Sequence, residues 1–412
     1  MTASDLLDRD DVRRRVDRLR RAVAGRAFSD VVDGEGRQYV DVVMEGGGVL
    51  GIALVGYVHA LEQAGLRFLN VGGSSAGAAT ALLLAAAGPR RRPRAAALAD
   101  VLAGQDLGAL TDGGWLARRA TRLATARRSP LRLLPYAPAL AYGLARHAGL
   151  HPGHAFLEWV EGALGAFGVG TTADLDRRLA DGLGGLRTRG GGPAPDAARV
   201  GVVAVELTTG ARLELPRMAP LLWADPGALS PAVFVRASTS VPFFFRPLHV
   251  PDVPQGPDRA DRWAREAGHD GAVGPTCTLV DGGVVSNFPV DMFHRAGSVP
   301  RCPTLGVKLG LEGAPARAVR GPLGLGLAVF EAARQGLDRA FVRRNPDYRH
   351  LVAFVDTGGH HWLDFGLSDG AKADLFVRGV EAGAAFLEGF DWDDYKAVRR
   401  ALVGAHRPHA AA

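Results

Sequence analysis

Two glycine-rich segments carry residues whose types and spacing could perform acyl transfer, a reaction that needs an exposed nucleophile, a base and donors for the oxyanion of a tetrahedral intermediate. Gly73-Ser74-Ser75-Ala76-Gly77 sets a serine between two glycines. At a sharp turn from strand to helix, those glycines let the backbone bend tightly and keep the hydroxyl clear of side chains. The helix that follows would direct its positive N-terminal end at the same point. Gly46-Gly47-Gly48-Val49-Leu50-Gly51 brings bare backbone N–H groups to a neighbouring turn. The amides of Gly46, Gly47, Gly48 and Val49, with that of Ala76 after the serine, are the candidate oxyanion donors. Glycine supplies 55 of the 412 residues, so neither motif is specific alone. Their joint occurrence, each directly after a strand pattern and before a helical one, raises the signal.

The elements that must position these groups follow from the pattern. Residues 38–44 form a short β-branched run typical of a buried strand, and 52–64 show helical spacing of Leu54, Val58 and Leu61 closed by Gly65. A second strand is expected over 66–71 and an Ala/Leu-rich helix over 78–87. Strand, glycine loop, helix, strand, serine turn and helix in that order predict parallel strands with helical crossovers, both turns falling on one edge of the sheet. Further strands are expected at 200–207, 276–280, 303–309 and 350–355, with helices near 321–344 and 368–389. Residues 251–275 read as a polar loop. The predicted organisation is a charged, solvated helix and linker over 1–35, a catalytic domain over 36–310 with a helical, basic cap at about 90–185, and a strand and helices over 311–412 that complete the same domain.

With these residues in place the chain resembles the patatin-like phospholipases. The resemblance rests on the loop from Gly46 to Gly51, the GxSxG from Gly73 to Gly77, and Asp281-Gly282-Gly283 after a late strand. It extends to Asn287-Phe288-Pro289 and to the segment from Arg236 to Pro242, covering roughly 38–310. The resemblance implies a three-layer α/β sandwich with a central, mostly parallel sheet, helices on both faces and a helical cap. It implies a phospholipase A or lipid acyl hydrolase acting through a Ser75–Asp281 dyad without a histidine, with no metal or organic cofactor. A free aspartate is a weak base, with a pKa near 3.9, which partial burial would raise. One position departs from the pattern: the family loop commonly carries Arg or Lys where this chain has Leu50. The backbone donors do not depend on that side chain.

Other readings compete for the same residues. His360 and His361 follow Asp281 in the order of a Ser-Asp-His triad. The loop at Gly46 invites a dinucleotide reading, but the ribose-binding acid expected about 20 residues on is missing. His59 reads as a packing or surface residue. A catalytically idle lipid-binding or scaffolding protein is the alternative from another class.

Composition bounds the partners. Hydrophobic residues make up 47% of the chain, enough for a substantial core, yet glycines interrupt every long apolar run, so no transmembrane helix is expected. Nor does the N-terminus have the apolar centre of a signal peptide. Cys277 and Cys302 give no disulfide framework and read as free thiols of a cytoplasmic protein. The net charge of +6 comes almost wholly from arginine, since Lys308, Lys372 and Lys396 are the only lysines. No zinc-ligand spacing or RNA-binding signature accompanies it, which argues against nucleic acid. The stretch 115–150 has seven arginines, interleaved aromatics and no acidic residue, and is expected to touch an anionic membrane peripherally.

Overall fold

The computed structural model describes residues 1–125, 135–295, 297–312, 319 and 321–405. One sheet dominates it. Its continuous path runs Val352–Val355, Thr304–Leu309, Gln38–Met44, Leu66–Ser74, Val200–Glu206, Cys277–Asp281, Leu248–Val250. Neighbours among the first five strands are parallel, and the last two strands are antiparallel additions. Every residue of Val200–Glu206 is buried, as is all of Gln38–Met44 except Gln38. A strand buried on both faces needs cover on both, and the continuous β-branched runs reflect that. The Leu66–Ser74 strand is three residues longer than its apolar pattern, because Gly72 and Gly73 keep pairing with Gly201 and Val202.

The helices flanking the two motifs are mostly apolar and buried nearly all round. Gly51–Gln63 buries every residue but its last, and Ala76–Ala86 every residue but its first, as core helices do. Gly51–Gln63 is held from outside by Asp369–Gly389. The crossing is backbone against backbone: a Cβ on Gly379 would lie 1.9 Å from the Ala53 carbonyl oxygen, and one on Gly56 would lie 2.1 Å from that of Phe376.

Three expectations need correction or refinement. The helix Asp10–Ala22 is not solvated, since Val12, Val16 and Leu19 form a buried stripe at helical spacing. Arg15, 6% exposed, reaches Glu381 at 2.7 Å and Glu388 at 2.6 Å on the helix Asp369–Gly389. The abundance of Asp and Arg hides that stripe. The 251–275 stretch is not all loop, for Pro257 starts the short helix Pro257–Arg262 and Trp263 after it is buried. The helical cap contains Ala95–Ala103, Trp115–Thr125, Ala137–His147, His154–Ala166 and Thr172–Ala180. It also holds a short strand, Gly149–His151, that pairs in parallel with Phe243–Phe245. Cys277 and Cys302 are free thiols. Among the described residues no helix is long and apolar enough to cross a membrane.

The Gly379 contact is testable. Gly379→Ala is expected to cost about 1–3 kcal/mol in chemical denaturation, because neither backbone can yield. Gly389→Ala, on the same helix with nothing within 4 Å of the new methyl, should be neutral or stabilising by up to about 1 kcal/mol. Equal effects at the two positions would reject the close crossing.

Candidate active site

Ser75 sits between the end of Leu66–Ser74 and the start of Ala76–Ala86 at φ 51° and ψ −121°, a strained backbone for a residue with a side chain. The turn is pressed against the preceding strand. A Cβ on Gly77 would fall 2.1 Å from the Met44 carbonyl oxygen, and one on Gly73 2.5 Å from the same atom. Ser238, the last residue of the helix Ala232–Ser238, fixes the turn from the other side. Its Oγ accepts the Ser75 amide proton at 2.9 Å and donates to the Val203 carbonyl at 2.5 Å.

Strand register brings the carboxylate to the same place. Ser74 pairs with Val203 and Asp281 with Ala204, so both flank one point of the strand between them, with backbones about 10 Å apart. Asp281 is 4% exposed. Its Oδ1 accepts the Gly283 amide at 2.6 Å, and its own amide donates to the Ser240 carbonyl at 3.0 Å. Burial pushes its pKa up to about 6, opposed by the Ser75 hydroxyl and by the charge of Arg334. Ser75 therefore acts on the carboxyl, yet Oδ2 has no partner of full hydrogen-bonding geometry. Catalytic bonds of this kind are commonly loose until substrate is bound.

The glycine loop is bound into the same structure. Gly46 donates to the Asn287 carbonyl at 2.9 Å and accepts from Asn287 Nδ2 at 3.0 Å. Gly48 takes φ 54° beneath Trp362, whose carbonyl accepts the Val49 amide at 3.0 Å. The amides of Gly46 and Val49 are thus already engaged. Those of Gly47, Gly48 and Ala76 make no hydrogen bond among the described residues. Of the remaining motif glycines, Gly51 opens the following helix against Ala76, Gly282 packs on the Val203 carbonyl, and Gly283 lies beside Asn287 and Asp281. Leu50, where a cation was not found in the sequence, is buried.

Sequence reasoning gave no role to four further residues. Ser238 and Asn287 stand inside quoted motifs, so a signal existed, but not their bonds. Arg334 and Trp362 lie outside any motif. Arg334, on the helix Gly321–Arg344, donates to Asn287 Oδ1 at 2.6 Å and stacks its guanidinium 5.6 Å from the Trp362 ring centre. One turn on, buried Asp338 accepts from Ser286 Oγ and the Phe288 amide, each at 2.7 Å. That helix thus clamps both sides of Asn287.

Ser75 and Ala76 line an apolar pocket that is partly open to solvent. Leu83, Leu107, Phe156, Phe244, Phe365 and other apolar side chains line it, and Lys372 is the charged residue among them. The histidines stand elsewhere. His360 Nε2 lies 3.0 Å from Asp374 Oδ2, while His361 Nδ1 accepts the Leu363 amide. Neither is among the groups that shift Asp281. His59 is buried against the Phe376 ring, and burial lowers its pKa to about 4. No cluster of three or more metal-ligating side chains occurs among the described residues.

The architecture is of the patatin-like α/β type. The patatin-like phospholipase description matches residues 42–294, and the chain belongs to that family. An uncharacterized protein of Bacillus subtilis (strain 168), YqhO, is 28% identical over 357 residues, 85% of this chain and 98% of its own. Among solved structures, VipD from Legionella pneumophila aligns over 89% of this chain and 71% of its own, at TM-score 0.42 and 14% identity. The ExoU–SpcU complex of the Pseudomonas aeruginosa type III secretion system aligns over 85% of this chain and 51% of the matched chain, at TM-score 0.35 and 18% identity. Family membership supports lipid-hydrolysing activity in general terms.

The buried carboxylate has a stability signature. An aspartate with a raised folded pKa loses stability as pH climbs from its ordinary value near 3.8 to about 6, and the cost is constant above that. Asp281→Asn, which keeps the Gly283 bond, should therefore gain on the order of 1–3 kcal/mol at pH 7 and little at pH 4. Thermal unfolding at the two pH values measures it, and a loss at pH 7 would contradict the assigned burial.

Proposed function

We propose that the protein is a phospholipase A or lipid acyl hydrolase that cleaves carboxylic ester bonds through Ser75 and Asp281. The observation that carries the reading is the strained serine at the wall of an apolar pocket beside a buried carboxylate whose affinity for protons is raised. Ser75 Oγ attacks the ester carbonyl carbon as its proton passes to Asp281. The amides of Gly47, Gly48 and Ala76 hold the resulting oxyanion, which is the part of the five-residue set that remains unengaged. Collapse expels the alcohol, which leaves with the proton from Asp281. Water, deprotonated by the same carboxylate, then attacks the acyl-enzyme carbonyl; the bond to Ser75 Oγ breaks, the fatty acid is released and Asp281 returns the proton to the serine oxygen. The apolar lining suits an acyl chain.

A soluble fluorophosphonate should label wild type at Ser75, which separates an enzyme from an idle lipid-binding protein. Ser75→Ala and Asp281→Asn should each leave less than about a tenth of turnover, since members of one catalytic unit are non-additive. His360→Ala and His361→Ala should change little. The acid limb of kcat/KM should fall near pH 6, where Asp281 takes up its proton. Mass spectrometry of a digested lipid extract identifies the products; the absence of both labelling and lysed lipid would reject the reading.

The basic stretch 115–150 is assigned to peripheral docking on anionic membrane. Arg118, Arg119, Arg122 and Arg146 lie on its helices Trp115–Thr125 and Ala137–His147. Arg127, Arg128 and Arg132 fall outside the described residues. Arginines near a charged bilayer contribute about 1 kcal/mol each, screened beyond about 8 Å at physiological salt. Changing Arg118, Arg119 and Arg122 to Gln should weaken co-sedimentation with anionic vesicles at low salt by about tenfold or more. Binding unaffected by salt and by these changes would reject charge-driven docking.

A further inference from the structure

We propose that Phe243 is an apolar anchor that inserts into a lipid bilayer and seats the mouth of the Ser75 pocket on it, separately from the arginines. The proposal rests on the lipid substrate assigned above. Phe243 is 69% exposed at φ 68°, a backbone region that bulky residues rarely occupy. Such strain persists only where the surroundings hold it, and it gathers at functional positions. The next two residues, Phe244 and Phe245, are buried and line the Ser75 pocket. Consecutive phenylalanines therefore run from solvent into the proposed acyl site.

Two more exposed aromatics belong to the same local unit. Gly149 pairs with Phe243 and His151 with Phe245. His151 Nδ1 accepts the Gly113 amide, and Nε2 lies 2.9 Å from Thr121 Oγ1, which ties the helix Trp115–Thr125 to this small sheet. Burial lowers the His151 pKa to about 4, so this tie is uncharged near neutrality. Trp115 opens that helix at 66% exposure, and Tyr142 stands at 69% on Ala137–His147, none of whose residues is buried. Single exposed apolar residues are ordinary. Here the large aromatics exposed among the described residues all fall on pieces of chain joined to, or next in sequence to, the small sheet that carries Phe244 and Phe245.

The occupant is a bilayer for two reasons. Phe243 is followed directly by two phenylalanines that line the apolar pocket. The arginines around them, with no acidic residue between Trp115 and Leu150, complement anionic headgroups. Aromatic rings at the boundary of headgroup and acyl chain, with cations at the phosphates, are the arrangement of an interfacial surface.

The test removes the electrostatic part. Protein carrying Ser75→Ala is co-sedimented with neutral phosphatidylcholine vesicles in about 1 M salt, where charges are screened within about 3 Å. Binding should persist there, weaken about tenfold or more with Phe243→Ser, and be retained with Phe243→Trp. Trp115→Ser and Tyr142→Ser provide second variants should Phe243→Ser fail to fold, as judged by circular dichroism. Fluorophosphonate labelling of Ser75 in the Phe243→Ser protein, with no vesicles present, reads the catalytic assignment separately. Binding only to anionic vesicles at low salt, equal binding of Phe243→Ser and its parent, or a dimer in solution that Phe243→Ser dissolves would each overturn the proposal.

Discussion

The site depends first on how the Ser75 turn is held. A serine at φ 51° stores strain on the order of 1–3 kcal/mol, and nothing within the turn itself compensates it. The compensation is tertiary. Ser238 Oγ takes the Ser75 amide and gives its own proton to Val203, converting one hydroxyl into a bridge between turn and central strand. On the other side Gly73 and Gly77 lie so near the Met44 carbonyl that no side chain fits. The turn is gripped between the strand before it and the strand after it. Because Val203 also neighbours Ala204, the partner of Asp281, the bridge that fixes the serine refers it to the same strand that fixes the carboxylate.

The carboxylate follows a different logic. A buried aspartate without a cation in contact is costly, and the structure leaves that cost partly uncompensated, with Oδ1 satisfied by Gly283 and Oδ2 open. Arg334 acts on Asp281 through space while its guanidinium is spent on Asn287 and the Trp362 ring. A direct ion pair would hold the carboxylate charged but lower its proton affinity. With the Ser75 hydroxyl, the displaced cation opposes the effect of burial, yet the proton affinity of the carboxyl stays raised. Through Asn287 the same arginine is coupled to Gly46, so loop and carboxylate share one support from a helix beyond the family-matched segment.

What could be read from sequence was what local chemistry requires. Glycines at 73 and 77 announce the serine turn because no other residue clears Met44, and β-branched runs announce the buried strands beside it. The supports were not legible for a physical reason: a Ser238–Val203 bond or an Arg334–Asn287 bond joins residues about 35 and 47 positions apart, and neither residue type is unusual where it stands. The engaged amides of Gly46 and Val49 were equally hidden, since a glycine-rich loop looks the same whether its N–H groups are free or bonded. At the N-terminus the error ran the other way. Composition suggested a solvated helix, whereas the spacing of Val12, Val16 and Leu19 already described a buried face.

The pocket itself poses the last question of polarity, because Lys372 lines it and is buried. An unpaired ammonium there would spoil an acyl-chain site. Its Nζ instead donates to the Ala103 and Gln105 carbonyls at 3.2 and 2.7 Å, at the negative C-terminal end of the helix Ala95–Ala103. The charge is turned into the protein, and the methylene stem is what suits an apolar lining. Apart from Ser75, Thr80, Thr239 and the Lys372 stem, the side chains of the lining are apolar. For the ester substrate proposed above, a lining of that kind would take the tail and leave the carbonyl as the part with polar partners, at Ser75.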